Sequence, residues 1–320
     1  MKLAVFVLDG VFDSGLCLVL DAFDLANTLS AACRPGEPAP FCVELVGLRA
    51  NARTALGMTL KLGRADRAPR PDWVVLPAVG SKTPDGLVQA LGGDPIQAGC
   101  AQLRRWSGQG VPIAAACMGS FVLAEAGLLG GHEATTSWWL GPLFRQRYPA
   151  VRLDEGRMVV PSGPFVTAGA AMGHVDLALW LIRRVSPDLA AQVARYLLVD
   201  PRASQAAYII PDHLAHADPL IERFERWTRD NLAQGFSLKD AAKALAVTPR
   251  TLQRRAEAVL GKSPLSYFQD RRVERARHLI ETSRLDLDAI AAQVGYADAA
   301  TLRSLLRKRI GRGVRELRAG

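Results

Sequence analysis

Along the first 190 or so residues, short apolar runs alternate with stretches of helical spacing. Residues 2–8 (Lys-Leu-Ala-Val-Phe-Val-Leu) are almost unbroken in their apolar character, which predicts a buried strand. Residues 16–30 follow with helical spacing. Apolar runs bounded by Pro or Gly at 41–47, 73–77 and 111–116 predict further strands. Residues 95–108, 118–127 and 141–148 predict helices between them. Residues 157–160 and 165–168 read as late short strands, and 170–184 and 187–198 as two closing helices. This alternation predicts an α/β front, a mostly parallel sheet sandwiched by helices.

The pattern breaks across 199–219, where Pro201, Pro211 and Pro219 stand among scattered polar residues. We therefore expect a front domain at 1–198, a linker at 199–219 and an all-α domain at 220–320. Within the last of these one motif occurs twice. Ser237 is placed as an N-cap, with Asp240 in the capping-box position, for a short helix to Leu245. After the turn 246–248, Thr248 caps a second helix with Pro249 in its first position, stopping at Gly261. About fifty residues on, 287–294, a turn at 295–298 and 299–310 repeat the arrangement. Each unit has the helix-turn-helix shape. Residues 264–282 form a spacer helix with Tyr267, Phe268, Val273, Ala276, Leu279 and Ile280 available for its buried face.

Charge sharpens the division. Residues 237–320 hold 18 Lys/Arg against 9 Asp/Glu, while residues 1–236 hold 22 of each, so the whole net charge of +9 sits in the tail. A neutral front and a basic tail fit a ligand-handling or catalytic domain joined to one that meets a polyanion. Five cysteines without a C-x-x-C pair or a histidine cluster give no disulfide framework, and no metal or cofactor motif stands out. The apolar start is too short for a signal peptide, and no apolar run approaches membrane-spanning length. The expected location is the cytoplasm.

The tail resembles the DNA-binding domain of AraC/XylS-type transcription regulators. The resemblance rests on Thr-Pro-Arg-Thr-Leu-Gln-Arg-Arg (248–255), Gly-Lys-Ser-Pro-Leu-Ser-Tyr (261–267), Arg-Val-Glu-Arg-Ala-Arg (272–277) and Ile-Ala-Ala-Gln-Val-Gly-Tyr-Ala-Asp (290–298). In the first recognition helix Leu252 belongs to the core, and Arg250, Gln253 and Arg254 share a face. Arg reads guanine bidentately and Gln reads adenine. Thr301, Arg303 and Ser304 are the equivalents in the second unit. That unit departs from the family pattern at Leu302, Ser304 and Val314. Arg307, Lys308, Arg309 and Arg312 are expected on phosphates.

In the front, Cys117 follows the strand 111–116 directly and precedes Met118-Gly119-Ser120 and a helix, the geometry of a nucleophile elbow. Read alone, a Cys among Ala and Gly also fits a buried structural thiol. A helix N-terminus beside the sulfur would lower its pKa. The front resembles the class I glutamine-amidotransferase-like, flavodoxin-like fold in its PfpI-like branch. The matching pieces are Asp9-Gly10, Val-Val-Leu-Pro (74–77), residues 115–129 around the elbow, Ala-Thr-Thr-Ser-Trp-Trp (134–139) and Val-Thr-Ala-Gly-Ala (166–170). A PfpI-like front on an AraC-type tail is the architecture of the GlxA group.

The resemblance assigns positions and exposes departures. Catalytic relatives carry a His after the Thr-Thr pair as base to the Cys; here Ser137 stands there, and serine accepts no proton near neutral pH. The loop after Pro77 is Ala78-Val79-Gly80, whose N–H groups are candidates for an oxyanion hole. Asp13 corresponds to the acidic partner near the elbow. Trp138 and Trp139 fit either core packing or a ligand wall, the latter suited to a cation through the ring face. His132 and His174 do not match the base position. The expected ligand site is Asp13, Ala78, Gly80, Cys117, Met118, Ser137 and Trp138, with no catalytic residue. The leading expectation is a regulator that binds promoter DNA and a small effector, such as an amine or amino-acid derivative, as a homodimer working with RNA polymerase. A Cys-dependent hydrolase or amidase with a DNA-binding tail, and a front that only dimerises, are the alternatives.

Overall fold

The structure, a computed structural model, describes residues 1–80, 83–200, 204–205, 218–283, 285–310 and 313–318, with backbone alone for 282, 308 and 310. It divides into two compact units, Met1–Gln205 and Ala206–Gly320.

The front runs β1 (Lys2–Phe6), α1 (Asp13–Cys33), β2 (Cys42–Gly47), β3 (Asn51–Arg53), β4 (Thr59–Lys61), β5 (Gly63–Arg64), β6 (Trp73–Leu76), α2 (Pro84–Leu91), α3 (Asp94–Gly108), β7 (Ile113–Ala116), α4 (Gly119–Glu125), β8 (Glu133–Ala134), α5 (Gly141–Arg147), β9 (Arg152–Leu153), β10 (Val159–Ser162), β11 (Phe165–Ala168), α6 (Gly173–Val185) and α7 (Pro187–Tyr196). The main sheet has the order β10-β11-β7-β6-β1-β2-β5. Its pairings are parallel except β10 on β11. The run β2-β1-β6-β7-β11 is the doubly wound order that reverses beside β1, where open α/β sheets leave a crevice at their carboxyl ends. The expected fold class is the one formed.

The apolar run of β1 follows from burial on both sides. Leu3, Val5 and Val7 enter one core, and Ala4, Phe6 and Leu8 the other. The first core is closed by α1, α6 and α7, to which Leu16, Val19, Phe23 and Ala26 contribute from α1. The second is closed by α2 to α5, through Leu87, Ile96, Leu103, Phe121 and Phe144. Strand β7 is three alanines after Ile113, so helices pack close on both faces.

Two expectations change. Helix α1 is 21 residues, long and apolar enough by length and composition to cross a membrane, although no single apolar run suggested it. Here its apolar stripe is packed on the sheet. The domain edge also moves. Val199 packs on the first core, Gln205 is buried and donates its N–H to Gly156, and Ser204 bridges Arg157. The front therefore extends past residue 198. At the other end of the expected linker, Asp218 caps helix Pro219–Asn231 by accepting from the N–H groups of Leu220 and Ile221. The rest of that segment, 201–203 and 206–217, lies outside the described residues. The small strands β3, β4, β8 and β9 and helix α2 escaped the pattern because they are short and mostly exposed on at least one side.

The second unit is helical. Ser237 caps helix Leu238–Ala244 and Thr248 caps helix Pro249–Leu260, each side chain accepting from the N–H three residues on. The spacer helix Pro264–Thr282 serves both motifs. Tyr267 and Phe268 join Phe224, Trp227 and Phe236 in an aromatic cluster beside the first. Val273, Ala276, Leu279 and Ile280 pack with Ile290, Leu302 and Leu306 of the second, which comprises helices Leu287–Gln293 and Ala299–Ile310.

Candidate ligand pocket and nucleic-acid interface

Strand β7 ends where the chain must turn sharply into α4. Cys117 makes that turn with φ +55, a conformation that strains a non-glycine residue. Its N–H donates to Ala168 O at 2.7 Å, and its carbonyl accepts from Ser120 Oγ at 2.6 Å and Thr136 Oγ1 at 3.1 Å. Gly119 permits the turn: a Cβ there would lie 2.7 Å from Leu76 O. The elbow geometry is therefore present, braced from β11 and from the segment after β8.

The chemistry of the elbow differs from a nucleophile's. Cys117 Sγ lies 2.8 Å from Ser137 Oγ, and both side chains are buried. Burial pushes the thiol up, against smaller downward pulls from the Ser137 hydroxyl and the Met118 N–H. The expected lowering by the helix start is overturned, because desolvation of a thiolate outweighs one short helix's dipole. Two of the three candidate oxyanion donors are engaged: Ala78 N–H donates to His174 Nε2 at 3.1 Å, and Gly80 N–H donates to Gly10 O.

His174 explains this arrangement. It is buried, with Nδ1 donating to Ala171 O at 2.7 Å, so Nε2 carries the lone pair that Ala78 meets. Burial drives its pKa down to about 4. Gly15 of α1 lies flat on the ring; a Cβ there would come within 2.6 Å. His174 is a neutral pin joining α1, the 78–80 loop and α6. His132 bonds Ser162 through Nδ1 and packs edge-on against Phe165.

A cavity of about 550 Å³ opens at the carboxyl ends of the strands. Phe12, Asp13 and Ser14 reach it from the turn after β1 and the start of α1, Gly80 from the loop after β6, Cys117 and Met118 from the turn after β7, and Ala171 from the loop after β11, with Ala55, Leu56 and Trp139 completing the wall. Asp13 is buried. Its Oδ2 accepts from Leu56 N–H at 3.0 Å, and its Oδ1 has no partner among the described residues. Of the expected ligand residues, Asp13, Gly80, Cys117 and Met118 line the cavity, and Ser137 sits behind Cys117. Ala78 does not line it, because its N–H faces His174. Trp138 does not line it either: the three-residue helical turn 138–140 turns its neighbour Trp139 toward the cavity, and the two rings meet at 86°. Leu56 and His174 carried no sequence signal, since one comes from an exposed hairpin and the other from an apolar helix.

In the tail, Arg250 and Arg254 are exposed on helix Pro249–Leu260, whose Leu252, Ala256 and Leu260 are buried. Gln253 is half-buried and donates to Glu257 Oε1, a contact it must release to read a base. Thr301, Arg303 and Ser304 are exposed on the second recognition helix, but the Thr301 hydroxyl donates to Asp298 at the helix start. Arg307 is exposed. Arg309 is not a free phosphate ligand: it pairs with Asp270 and donates to Gln269 Oε1 at 2.7 Å, tying its helix to the spacer. Arg312 lies outside the described residues.

Comparison with known proteins agrees with both halves. Residues 241–320 match the helix-turn-helix domain family. The chain is 27% identical over 227 residues to the HTH-type transcriptional regulator CdhR of Pseudomonas aeruginosa, covering 67% of this chain and 66%, just under two thirds, of that protein. It is 26% identical over 219 residues to the HTH-type transcriptional regulator GlxA of Rhizobium meliloti, covering 65% of this chain and 67% of that one. By structure it is similar to a THiJ/PfpI family protein from Pseudomonas syringae, with a TM-score of 0.51 and 19% identity over 77% of this chain and 90% of the other, a likeness of fold.

Proposed function

We propose that this chain, with its AraC-type helix-turn-helix tail and PfpI-like front, is a transcription regulator whose front binds a small effector without turning it over. The observation that carries the reading is the Cys117–Ser137 pair. The hydroxyl occupies the place of a general base, the thiol is held protonated by burial, and the Ala78 and Gly80 N–H groups of the 78–80 loop are engaged elsewhere. An elbow so arranged keeps a shaped pocket and loses its chemistry.

The pocket's lining supports an amine or amino-acid derivative as effector. A buried Asp13 oxygen without a partner calls for a donor, and an ammonium group gives the strongest bond to a carboxylate. Trp139 and Phe12 place aromatic rings in the same wall, and such rings attract a cation. The tail would read promoter DNA with Arg250, Gln253 and Arg254 in one groove segment and Arg303 and Ser304 in the next. A second copy of the chain and RNA polymerase complete the proposed partners, in the cytoplasm.

The test is a thermal-shift series on the full chain with primary and quaternary amines and with amino acids, because a ligand that binds only the folded state raises the melting temperature by mass action. A rise with one of these that Asp13→Asn abolishes is the expected result. A panel that leaves the melting temperature unmoved while the protein hydrolyses an amide would overturn the reading.

A further inference from the structure

We propose that Gln205 is a latch through which the state of the elbow pocket reaches the DNA-binding unit; this rests on reading the pocket as the effector site. Gln205 is the last residue of the front unit, and the second unit begins at Ala206. Its side chain is 1% exposed. Nε2 donates to Thr136 O at 2.8 Å and lies 3.2 Å from Thr135 Oγ1 and 3.3 Å from Arg157 O. The amide fits there because residue 169 is glycine: a Cβ at that position would lie 2.1 Å from Nε2.

The two segments it touches are those that brace the elbow. Thr136 Oγ1 donates to Cys117 O, and the next residue is Ser137, on the Cys117 thiol. Gly169 follows Ala168, whose carbonyl accepts from Cys117 N–H, and precedes Ala170 at φ +58 and the cavity-lining Ala171. From cavity to latch the route is two hydrogen-bonded steps: the Cys117 carbonyl to Thr136, and the Thr136 carbonyl to Gln205. A ligand that shifts the elbow moves the carbonyl that Gln205 grips.

The latch is also built to release. Oε1 of Gln205 is buried and has no hydrogen-bond partner among the described residues, so the amide is satisfied there on its donor side alone. In water both sides would be satisfied. The inserted and withdrawn states are therefore closer in energy than for a fully bonded side chain, as a two-state element requires.

The experiment is a double-mutant cycle in the full chain. Ser137→Val perturbs the elbow, Gln205→Ala removes the latch, and both are made singly and together. Gly169→Ala expels the side chain while leaving Gln205 in place, and serves if Gln205→Ala does not fold. Readouts are hydrogen exchange at the amides of 135–137 and 205, and the midpoint of binding to a duplex from upstream of the chain's own gene. Ser137→Val should speed exchange at Gln205 about tenfold or more and move the duplex midpoint about fivefold. On the Gln205→Ala or Gly169→Ala background it should move the midpoint less than about twofold. Independent, multiplicative effects of the two substitutions, or an unchanged Gln205 amide in Ser137→Val, would overturn the latch. If the wild type binds no duplex at low salt, the regulator reading fails, and the exchange at Gln205 still decides the latch.

Discussion

Cys117 Sγ and Ser137 Oγ lie 2.8 Å apart with both residues closed off from water. A thiol in that setting ionises late, because the thiolate loses hydration that one hydroxyl and one N–H replace only in part. Alkylation by iodoacetamide near neutral pH should therefore be slower at Cys117 than at the exposed Cys17, Cys33 and Cys42 by about tenfold or more. Ser137→His should speed alkylation of Cys117 and still give no amide turnover, since Ala78 N–H stays on His174. Turnover by the wild type would show that another group supplies the base.

His174 makes the front pH-sensitive. Its folded pKa is about 4, below the ordinary value of 6.5, so the unfolded chain takes up the proton first as pH falls. Stability contributed by the neutral ring is complete above pH 6.5 and lost progressively down to pH 4, by about 3 kcal/mol in total. Melting of the wild type should fall across that window, and the fall should be smaller for His174→Gln. That variant should also melt lower at pH 7, because Ala78 N–H loses its acceptor geometry.

Salt separates the roles of the arginines. With roughly 5–8 phosphates neutralised, the slope of log affinity against log salt should be about −5 to −7. Arg250→Ala should weaken the specific site by about 1–3 kcal/mol and random duplex little. Arg307→Ala should weaken both alike and reduce the slope by about 1. Arg309→Ala should leave the slope unchanged and lower the melting temperature, since Arg309 is engaged with Asp270 and Gln269. A reduced slope for Arg309→Ala would return that residue to the phosphates.

The contrast between Arg307 and Arg309 shows what the sequence could carry. Period and caps marked the helix 299–310 and its apolar Leu302 and Leu306, because these depend on local spacing. Which exposed-looking arginine meets Asp270 depends on a contact across 39 positions, which no local pattern encodes. The front behaves alike. The elbow was legible because strand, Cys and glycine are adjacent in sequence. The pairing of Ala78 with His174 spans 96 positions, and the choice of Trp139 over Trp138 depends on one short helical turn. Gln205 was hidden in a stretch whose prolines read as linker.

The turn of the second motif gives a sharper test of how the tail is held together. Gly295 has φ +80, and a Cβ there would fall 2.3 Å from Arg272 Nη2, 2.7 Å from Leu232 O and 2.8 Å from Ala233 O. Arg272 is itself fixed: Nε donates to Leu232 O at 2.8 Å, and the guanidinium lies over the rings of Phe268 and Tyr296, 4.9 and 5.2 Å from their centroids. That side chain joins the segment before the first motif to the turn of the second, so crowding it disturbs the spacing of the two recognition helices. Gly295→Ala should cost about 1–3 kcal/mol through the backbone conformation alone, and more as Arg272 is displaced. Gly313→Ala is the control, because its added carbon meets only Glu316 Oε2 at 3.4 Å. Hydrogen exchange over 264–310 should rise strongly in the first variant and stay near wild type in the second. Specific DNA affinity should fall with Gly295→Ala by more than binding to random duplex, because only the specific site requires both helices at their fixed separation. Equal exchange in the two variants would mean that Arg272 does not hold the motifs in register.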